Sequence, residues 1–208
     1  YWSEDGNRVP SEKSGAACSL TEIHQKSGMP FASIVLQKGP WPFAVAAMTE
    51  YIKRLRVTEC IMRGDGGFPL QALMRQIAAQ CREAKINVKI EGPQGVASPQ
   101  SIGGAEKMHD LIAGFVRPLL SAIQRFAGLV VEPGHRLFCW AVRHAAYLQG
   151  HHQIGHNKVT SYRVIHGADC TDRLCQFGEK VMWRVADTSK QGKSALRWYH
   201  GIWVGIQE

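Results

Sequence analysis

The sequence predicts an α/β fold in which helices pack on a mixed sheet, with a small β module at the C-terminal end. Three observations lead to this prediction. Apolar residues recur at helical spacing in some segments, such as residues 69–84, and alternate with polar residues in others, such as residues 86–91. Turns rich in glycine and proline separate these segments. Strands and helices alternate in the second half of the first 127 residues, an order that favours a mixed sheet covered by helices.

The predicted strands are short apolar or alternating runs bounded by turn residues. The first two flank the turn-forming residues 25–28 and predict a hairpin, and the last two flank the basic turn at residues 189–193. In chain order, the predicted strands are residues 16–24, 31–37, 57–63, 86–91, 178–185 and 198–206.

The predicted helices show apolar stripes, and Pro42 and Pro69 suit the first turn of two of them. We expect Pro118 to stop or kink the third helix near Arg117, because proline removes a backbone donor, and we expect a further turn or two through Ile123 and Phe126. A His-rich connection at residues 150–172 follows the last helix. In chain order, the predicted helices are residues 42–55, residues 69–84, a helix starting near Ala105 after a loop at residues 92–104, and residues 137–149.

Composition indicates one full domain with a small appendage, which we divide into a core at residues 1–170 and a β-rich module at residues 171–208. With 20% charged and 45% hydrophobic residues, the chain falls outside the disordered class. It contains no apolar run long enough for a membrane span, so no membrane partner is expected. The formal net charge of +8 points to a polyanionic partner, nucleic acid first.

Scattered cysteines and the lack of a secretory signal predict a reducing, nuclear or cytoplasmic location. The chain starts without Met, which suggests a fragment.

Two acids occupy positions that suit a metal-dependent site. Asp65 follows a predicted strand in a glycine-rich turn, and Glu106 opens a predicted helix about 40 residues later. If both point into one cleft they repel, unless a divalent cation such as Mg²⁺ neutralises them, and such ions support phosphoryl transfer. The alternative is that Asp65 is a turn residue and Glu106 a helix N-terminal acid favoured by the dipole. Spacing alone favours this alternative, and the surrounding residues change that balance.

The residues around these acids carry a resemblance. MRGDGGF at residues 62–68 and SPQSIGGAEK at residues 98–107 resemble the catalytic core of copia-type retrotransposon integrases. That family has its second acid in a motif like R-S-D-N-G-G and its third in a motif like S-x-x-N-G-x-x-E-R. Further segments resemble family motifs in the right order: residues 140–148, 160–167, 177–179 and 201–205.

The resemblance implies an RNase H-like core and a DDE-type polynucleotidyl transferase that inserts element DNA ends into target DNA with Mg²⁺ or Mn²⁺. It makes Asp65 the second metal-binding acid and Glu106 the third, with Lys107 at the family's basic position. The first acid of the family lies on the first strand, and here it is expected just before Tyr1, so that the first strand is truncated. Asp5 is a poor substitute because of its loop setting.

Departures from the family pattern suggest a divergent, dinoflagellate-like copy that has decayed. Gly64 and Gly66 replace Ser and Asn around the second acid, and Ile102 replaces an Asn before the third. Losing those hydrogen bonds is expected to loosen the loops that aim the acids, and a misplacement of about 1 Å can cost on the order of a hundredfold in rate.

The tail mixes basic and aromatic residues, which predicts contact with DNA through phosphate binding and base stacking. The alternative is that the Trp residues form the core of the β module and the Lys residues solvate its turn. The predicted DNA-binding residues are Lys107, Lys190, Lys193, Arg197 and Trp198.

The His and Cys residues between 151 and 175 have irregular spacing, so a solvated loop is favoured over a zinc site. The leading hypothesis for the whole chain is a retrotransposon integrase core that binds DNA and catalyses metal-dependent strand transfer, with element ends and target DNA as partners and possible homo-oligomers. The alternatives are a non-catalytic nucleic-acid-binding module on the same fold and an unrelated metal nuclease.

Overall fold

The structure is a computed structural model that describes residues 18–64, 66–92, 99–184 and 196–206. Its helices and strands follow the predicted order closely. They are β1 Cys18–Ile23, β2 Pro30–Val35, α1 Pro42–Arg54, β3 Glu59–Arg63, α2 Phe68–Glu83, β4 Asn87–Glu91, α3 Pro99–Ala127, α4 Arg136–His151, α5 Ser161–His166, β5 Lys180–Arg184 and β6 Trp198–Ile202.

The N-terminal hairpin is confirmed. β1 and β2 pair antiparallel from Cys18 opposite Val35 to Ile23 opposite Pro30. The turn between them is fixed locally, because the His24 ring nitrogen Nδ1 and the Ser27 hydroxyl lie 2.7 Å apart and the same hydroxyl accepts the Met29 N–H. This hairpin presents one face to α1 and the other to α3.

The next three elements form a parallel strand–helix–strand unit. β3 pairs with β4 in parallel, from Glu59 opposite Asn87 to Arg63 opposite Glu91, and α2 connects them. The apolar stripe of α2 is buried through Leu73, Met74, Ile77 and Cys81, as its periodicity predicts. Because parallel strands run in the same direction, the carboxyl ends of β3 and β4 lie at one edge of the pair.

The strands do not form the single mixed sheet that we expected. Within the described residues they make three separate two-stranded sheets, β1–β2, β3–β4 and β5–β6. The first two pairs are held together by side-chain packing rather than by a hydrogen-bonded ladder. Leu20 of β1, Val35 of β2, Met62 of β3 and Ile90 of β4 all pack in one apolar cluster with α1 and α2.

α3 begins earlier than predicted and does not stop at Pro118, and the predicted further turns through Ile123 and Phe126 belong to the same helix. It begins at Pro99 rather than near Ala105, and it continues through Pro118 to Ala127. After Pro118, Ile123 is completely buried, and the partly buried Leu119 and Leu120 pack against the second apolar cluster, while Pro118 itself is exposed. This packing stabilises the turns that follow the proline. α3 and α4 pack together in a second apolar cluster that includes Met108, Ile112, Phe138 and Val142.

The predicted His-rich loop after α4 is partly wrong. His151 is the last residue of α4 and is buried, rather than solvated. A short helix, α5, follows; the Thr160 hydroxyl caps its start by accepting the Arg163 N–H, and Gly167 ends it with φ 75°. A capping Thr and a Gly seven residues later were signals for this helix in the sequence.

The C-terminal residues contact the core through a few side chains. Phe177 is buried in the α3–α4 cluster, and Trp203 and Val204 pack against the same cluster. The division of the chain near residue 170 remains a prediction. Among the described residues, no helix combines the length and the apolar character needed to cross a membrane.

Candidate functional site

The candidate site lies at the carboxyl edge of the β3–β4 pair. Arg63 and Glu91 are the last residues of the two strands, face each other in register, and form an ion pair of 2.6 Å between the guanidinium Nε and the carboxylate Oε2. Asp65, which itself falls outside the described residues, comes two positions after Arg63 in the chain. The link from Glu91 to α3 starts from the same edge.

Gly64 allows the end of β3 to approach α2 closely. A Cβ atom at this position would lie 2.6 Å from Leu70 Cδ2 and 3.2 Å from Met74 Sδ. The Ser that the integrase resemblance implies at this position therefore has no room here unless Leu70 moves. Gly64 thus has a packing role, and its replacement of Ser is compatible with an ordered strand end.

Glu106 and Lys107 are exposed side chains on α3. Glu106 is the eighth residue of this helix, so the prediction that it opens the helix, and the alternative that it is a helix N-terminal acid, are both wrong. The helix is fixed beside β1 because the Thr21 hydroxyl lies 3.1 Å from the His109 ring nitrogen Nδ1, and because Met108 and Ile112 are buried. Glu106 forms no hydrogen bond or ion pair with any other described residue, so its carboxylate is available to a ligand. A shallow groove begins beside it, lined by Lys107, Asp110, Leu111, Gly114, Phe115 and Pro118.

A third acid, Glu22 on β1, was not predicted from the sequence as a functional residue. It is half-buried, and burial raises the pKa of its carboxyl to about 7 even though it accepts a hydrogen bond from the Ile23 N–H. Its charge also raises the pKa of the Tyr51 hydroxyl and the Cys60 thiol, after the larger effect of their own burial, so Glu22 lies close to α1 and β3. Strand alternation was the available signal, because position 22 shares a face with Leu20, which packs in the first cluster.

The described residues do not assemble a metal site. No three His, Cys, Asp or Glu side chains among them come together in a way that could hold a metal ion. Glu106 offers the oxygen ligand that Mg²⁺ prefers. The Glu91 carboxylate is already neutralised by Arg63. Asp65 and Asp5, the other acids proposed as ligands, both fall outside the described residues.

The His and Cys residues considered as zinc ligands contact aromatic side chains or are exposed to solvent. His151 stacks on Tyr147 with ring centroids 4.2 Å apart. The Tyr147 hydroxyl donates to Asp172 Oδ2 at 2.6 Å and lies 3.6 Å from Cys170 Sγ. His156 and Cys175 are exposed. These contacts fasten the segment after α5 onto α4.

The predicted DNA-binding residues of the tail fall in and beside the β5–β6 hairpin. Arg197 and Trp198 are exposed at the start of β6, and Trp183 on β5 is exposed as well. The alternative that these Trp residues form a buried core is therefore wrong for Trp183 and Trp198. Lys190 and Lys193 belong to the connection between the strands and lie outside the described residues.

Comparison with solved structures finds retroviral integrases. The HTLV-2 integrase catalytic core domain in complex with magnesium (trimeric form) matches with a TM-score of 0.47 and 11% identity, over 72% of this chain and 85% of that chain. The catalytic core domain of BIV integrase matches with a TM-score of 0.45 and 16% identity, over 72% of this chain and 91% of that chain. The simian T-cell lymphotropic virus intasome in complex with PP2A regulatory subunit B56 gamma matches with a TM-score of 0.49 and 12% identity, over 88% of this chain and 65% of that chain.

At these scores and identities the likeness is partial, and neither an activity nor a ligand of this chain follows from it. No family model and no curated protein matches the sequence.

Proposed function

We propose that this chain is the core of an integrase-type protein that binds DNA and acts on DNA ends, using Asp65 and Glu106. The observation that carries the proposal is the parallel pairing of β3 with β4. The strand before Asp65 and the strand that leads to α3 both end at the same edge, and this edge of an open α/β sheet is where ligands usually bind. The motif resemblance around both acids supports the same conclusion.

Charge supports DNA as the ligand. The chain carries a formal net charge of +8. Lys107 is exposed next to Glu106, and in this proposal it would contact a phosphate of the DNA near the scissile bond. Binding of this kind releases counterions, so it weakens steeply as salt is added.

The proposed roles of Lys107, Glu106 and Asp65 follow from the chemistry of their side chains. Lys107 would fix the position of the backbone, and Glu106, together with Asp65, would supply carboxylate oxygens at the reacting phosphate. A divalent cation, Mg²⁺ or Mn²⁺ in this proposal, would polarise that phosphate when bound. The cation requirement rests on the resemblance and on the chemistry of two acids, because the described residues alone do not form its site.

Binding is tested by titrating duplex DNA at several salt concentrations. Lys107→Gln is expected to weaken DNA binding and to reduce the slope of log K against log salt by about 1, the change expected when one phosphate contact is lost. Lys85→Gln is the matched control, because Lys85 is exposed at the far end of α2, near the amino edge of the β3–β4 pair. Equal losses in both variants would remove Lys107 from the DNA-binding surface.

Turnover is tested by nicking or strand transfer on DNA ends with Mn²⁺. Glu106→Gln is expected to lower the rate at least about a hundredfold without weakening DNA binding, because the substitution keeps the size of the side chain and removes a negative charge that repels phosphates. Glu132→Gln, the same change at an exposed position after α3, is expected to act like the wild type. Equal rates for Glu106→Gln and wild type would exclude Glu106 from the mechanism.

A second candidate function is a nucleic-acid-binding module without catalysis. It is favoured by the departures from the family pattern around the two acids, at Gly64, Gly66 and Ile102. It predicts salt-sensitive DNA binding with no metal-dependent turnover in the wild type or in either variant.

A further inference from the structure

The β5–β6 hairpin exposes large side chains on both of its faces. Trp183 is 52% exposed, Trp198 is 54% exposed and Tyr199 is 40% exposed. The hairpin pairs with no other strand in the described ranges. Two strands alone cannot bury such side chains, and soluble proteins rarely leave clusters of them in water without a binding role.

One face carries an aromatic pair. Trp183 and Tyr199 are directly opposite in register, with ring centroids 5.5 Å apart and an interplanar angle of 32°. Gly201 lies on the same face, and a Cβ there would be 3.3 Å from Trp183 Cδ1. The bare backbone at Gly201 therefore supports one edge of the indole ring, while the outer side of the aromatic pair remains in solvent.

The opposite face combines an aromatic ring with positive charge. Arg184 is opposite Trp198 in register, and Met182 is opposite His200. All four side chains are exposed. Arg197 precedes this strand, and the sequence from 180 to 200 contains five Lys or Arg residues and a single acid, Asp187. The hairpin thus offers aromatic surface within a basic segment, which complements a polyanion that carries flat, apolar groups.

We propose that the β5–β6 hairpin binds single-stranded DNA by stacking unpaired bases on Trp183, Tyr199 and Trp198, with Arg184 and Arg197 contacting phosphates. This inference rests on the proposed function only in taking DNA as the polyanion. In a duplex the bases are stacked on one another and their flat faces are covered, so exposed rings contribute nothing there. Unpaired bases expose those faces, and stacking contributes about 1–3 kcal/mol per base.

The experiment compares a single-stranded oligonucleotide with a duplex of the same length, using tryptophan fluorescence to follow binding to the full chain. The wild type is expected to bind the single strand more tightly and with quenching of its fluorescence. Tyr199→Ala is expected to weaken single-strand binding roughly fivefold to a hundredfold. Duplex binding is expected to change little.

Two further variants separate stacking from folding. Tyr199→Phe keeps the ring and is expected to bind like the wild type, which shows that the hairpin folds when only the hydroxyl is lost. Phe43→Ala is the matched control, because Phe43 on α1 has the same exposed fraction as Tyr199, 40%. It is expected to leave single-strand binding unchanged.

Equal affinity of the wild type for single-stranded and duplex DNA would overturn the inference, as would an equal loss for Tyr199→Ala and Phe43→Ala. Self-association of the wild type that Tyr199→Ala abolishes, with DNA affinity unchanged, would show instead that the hairpin is a contact between copies of the chain. If the duplex binds and the single-strand preference is absent, the proposed function stands and this inference fails. If no DNA binds, both fail.

Discussion

Glu22 supplies the sharpest stability test, through the substitution Glu22→Gln. Its carboxyl has a pKa of about 7 in the folded chain, raised from 4.5 mainly by burial. Each tenfold change in an acid equilibrium corresponds to about 1.4 kcal/mol, so ionising Glu22 costs the folded state about 3 kcal/mol relative to the unfolded state. For a chain of this length, that is roughly 6–12 °C in Tm.

The direction of the pH dependence follows from the raised pKa. Below about 4.5 the carboxyl is protonated in both states, and the contribution of Glu22 to stability is fully present. As the pH rises through about 7, the unfolded state is already ionised and the folded state must follow, so this contribution is lost. Glutamine carries no charge at any pH. The Glu22→Gln variant is therefore expected to match the wild type near pH 4 and to exceed its unfolding free energy by about 3 kcal/mol near pH 8.

The assay is urea unfolding of both chains at a series of pH values, taking the difference between them at each pH. Burial lowers the pKa of His24 and of His144. Because neither residue is changed, their contributions cancel in that difference. Glu59→Gln on β3 is the control, since Glu59 is exposed. A difference for Glu22→Gln that stays constant from pH 4 to pH 8 would refute the assignment of Glu22 as a buried acid beside Tyr51 and Cys60.

Two further predictions concern the junction of the core with the C-terminal residues. Burial, followed by the charge of His152, lowers the pKa of His144 to about 4, so the contribution of His144 to stability is lost as the pH falls from 6.5 to about 4. His144→Phe is expected to remove up to about 3 kcal/mol of this acid-induced loss of unfolding free energy, measured by unfolding across this pH range. A pH profile identical to that of the wild type would contradict the prediction. Gly178 has φ 86°, and a Cβ there would lie 2.8 Å from Ile123 Cα. Gly178→Ala is therefore expected to lower the unfolding free energy by at least about 2 kcal/mol. Gly114→Ala, with no atom within 4 Å of the added Cβ, is expected to be neutral or slightly stabilising, and equal effects in the two variants would refute the packing argument.

Periodicity predicted α1, α2 and α4 well, because each of these helices buries an apolar face. α2 is the clearest case, since Leu73, Met74, Ile77 and Cys81 of its apolar stripe are buried. The start of α3 was harder, because Gly103 and Gly104 favour a loop by local propensity. The helix begins earlier, at Pro99, and packing of its later turns through Met108 and Ile112 stabilises it.

Sequence predicted individual site residues but not their surroundings. The positions of Asp65 after β3 and Glu106 on α3 are visible from local patterns. The burial of Glu22 depends on α1 and β3, which lie far from it in the chain, so local alternation could show only which face it shares. Likewise, the exposure of Trp183 and Trp198 depends on how the other described strands and helices pack around the hairpin, which composition does not reveal.

The central claim is that Asp65 and Glu106 act together in one site on DNA, and a double-mutant cycle on the nicking rate tests it directly. Asp65→Asn, Glu106→Gln and the double variant are compared with the wild type in Mn²⁺ at saturating DNA. When two catalytic groups act as a unit, the losses of rate caused by the two single substitutions do not add in free energy. The double variant is therefore expected to be no slower than the slower single variant. Losses that multiply, or single variants as fast as the wild type, would contradict a shared site.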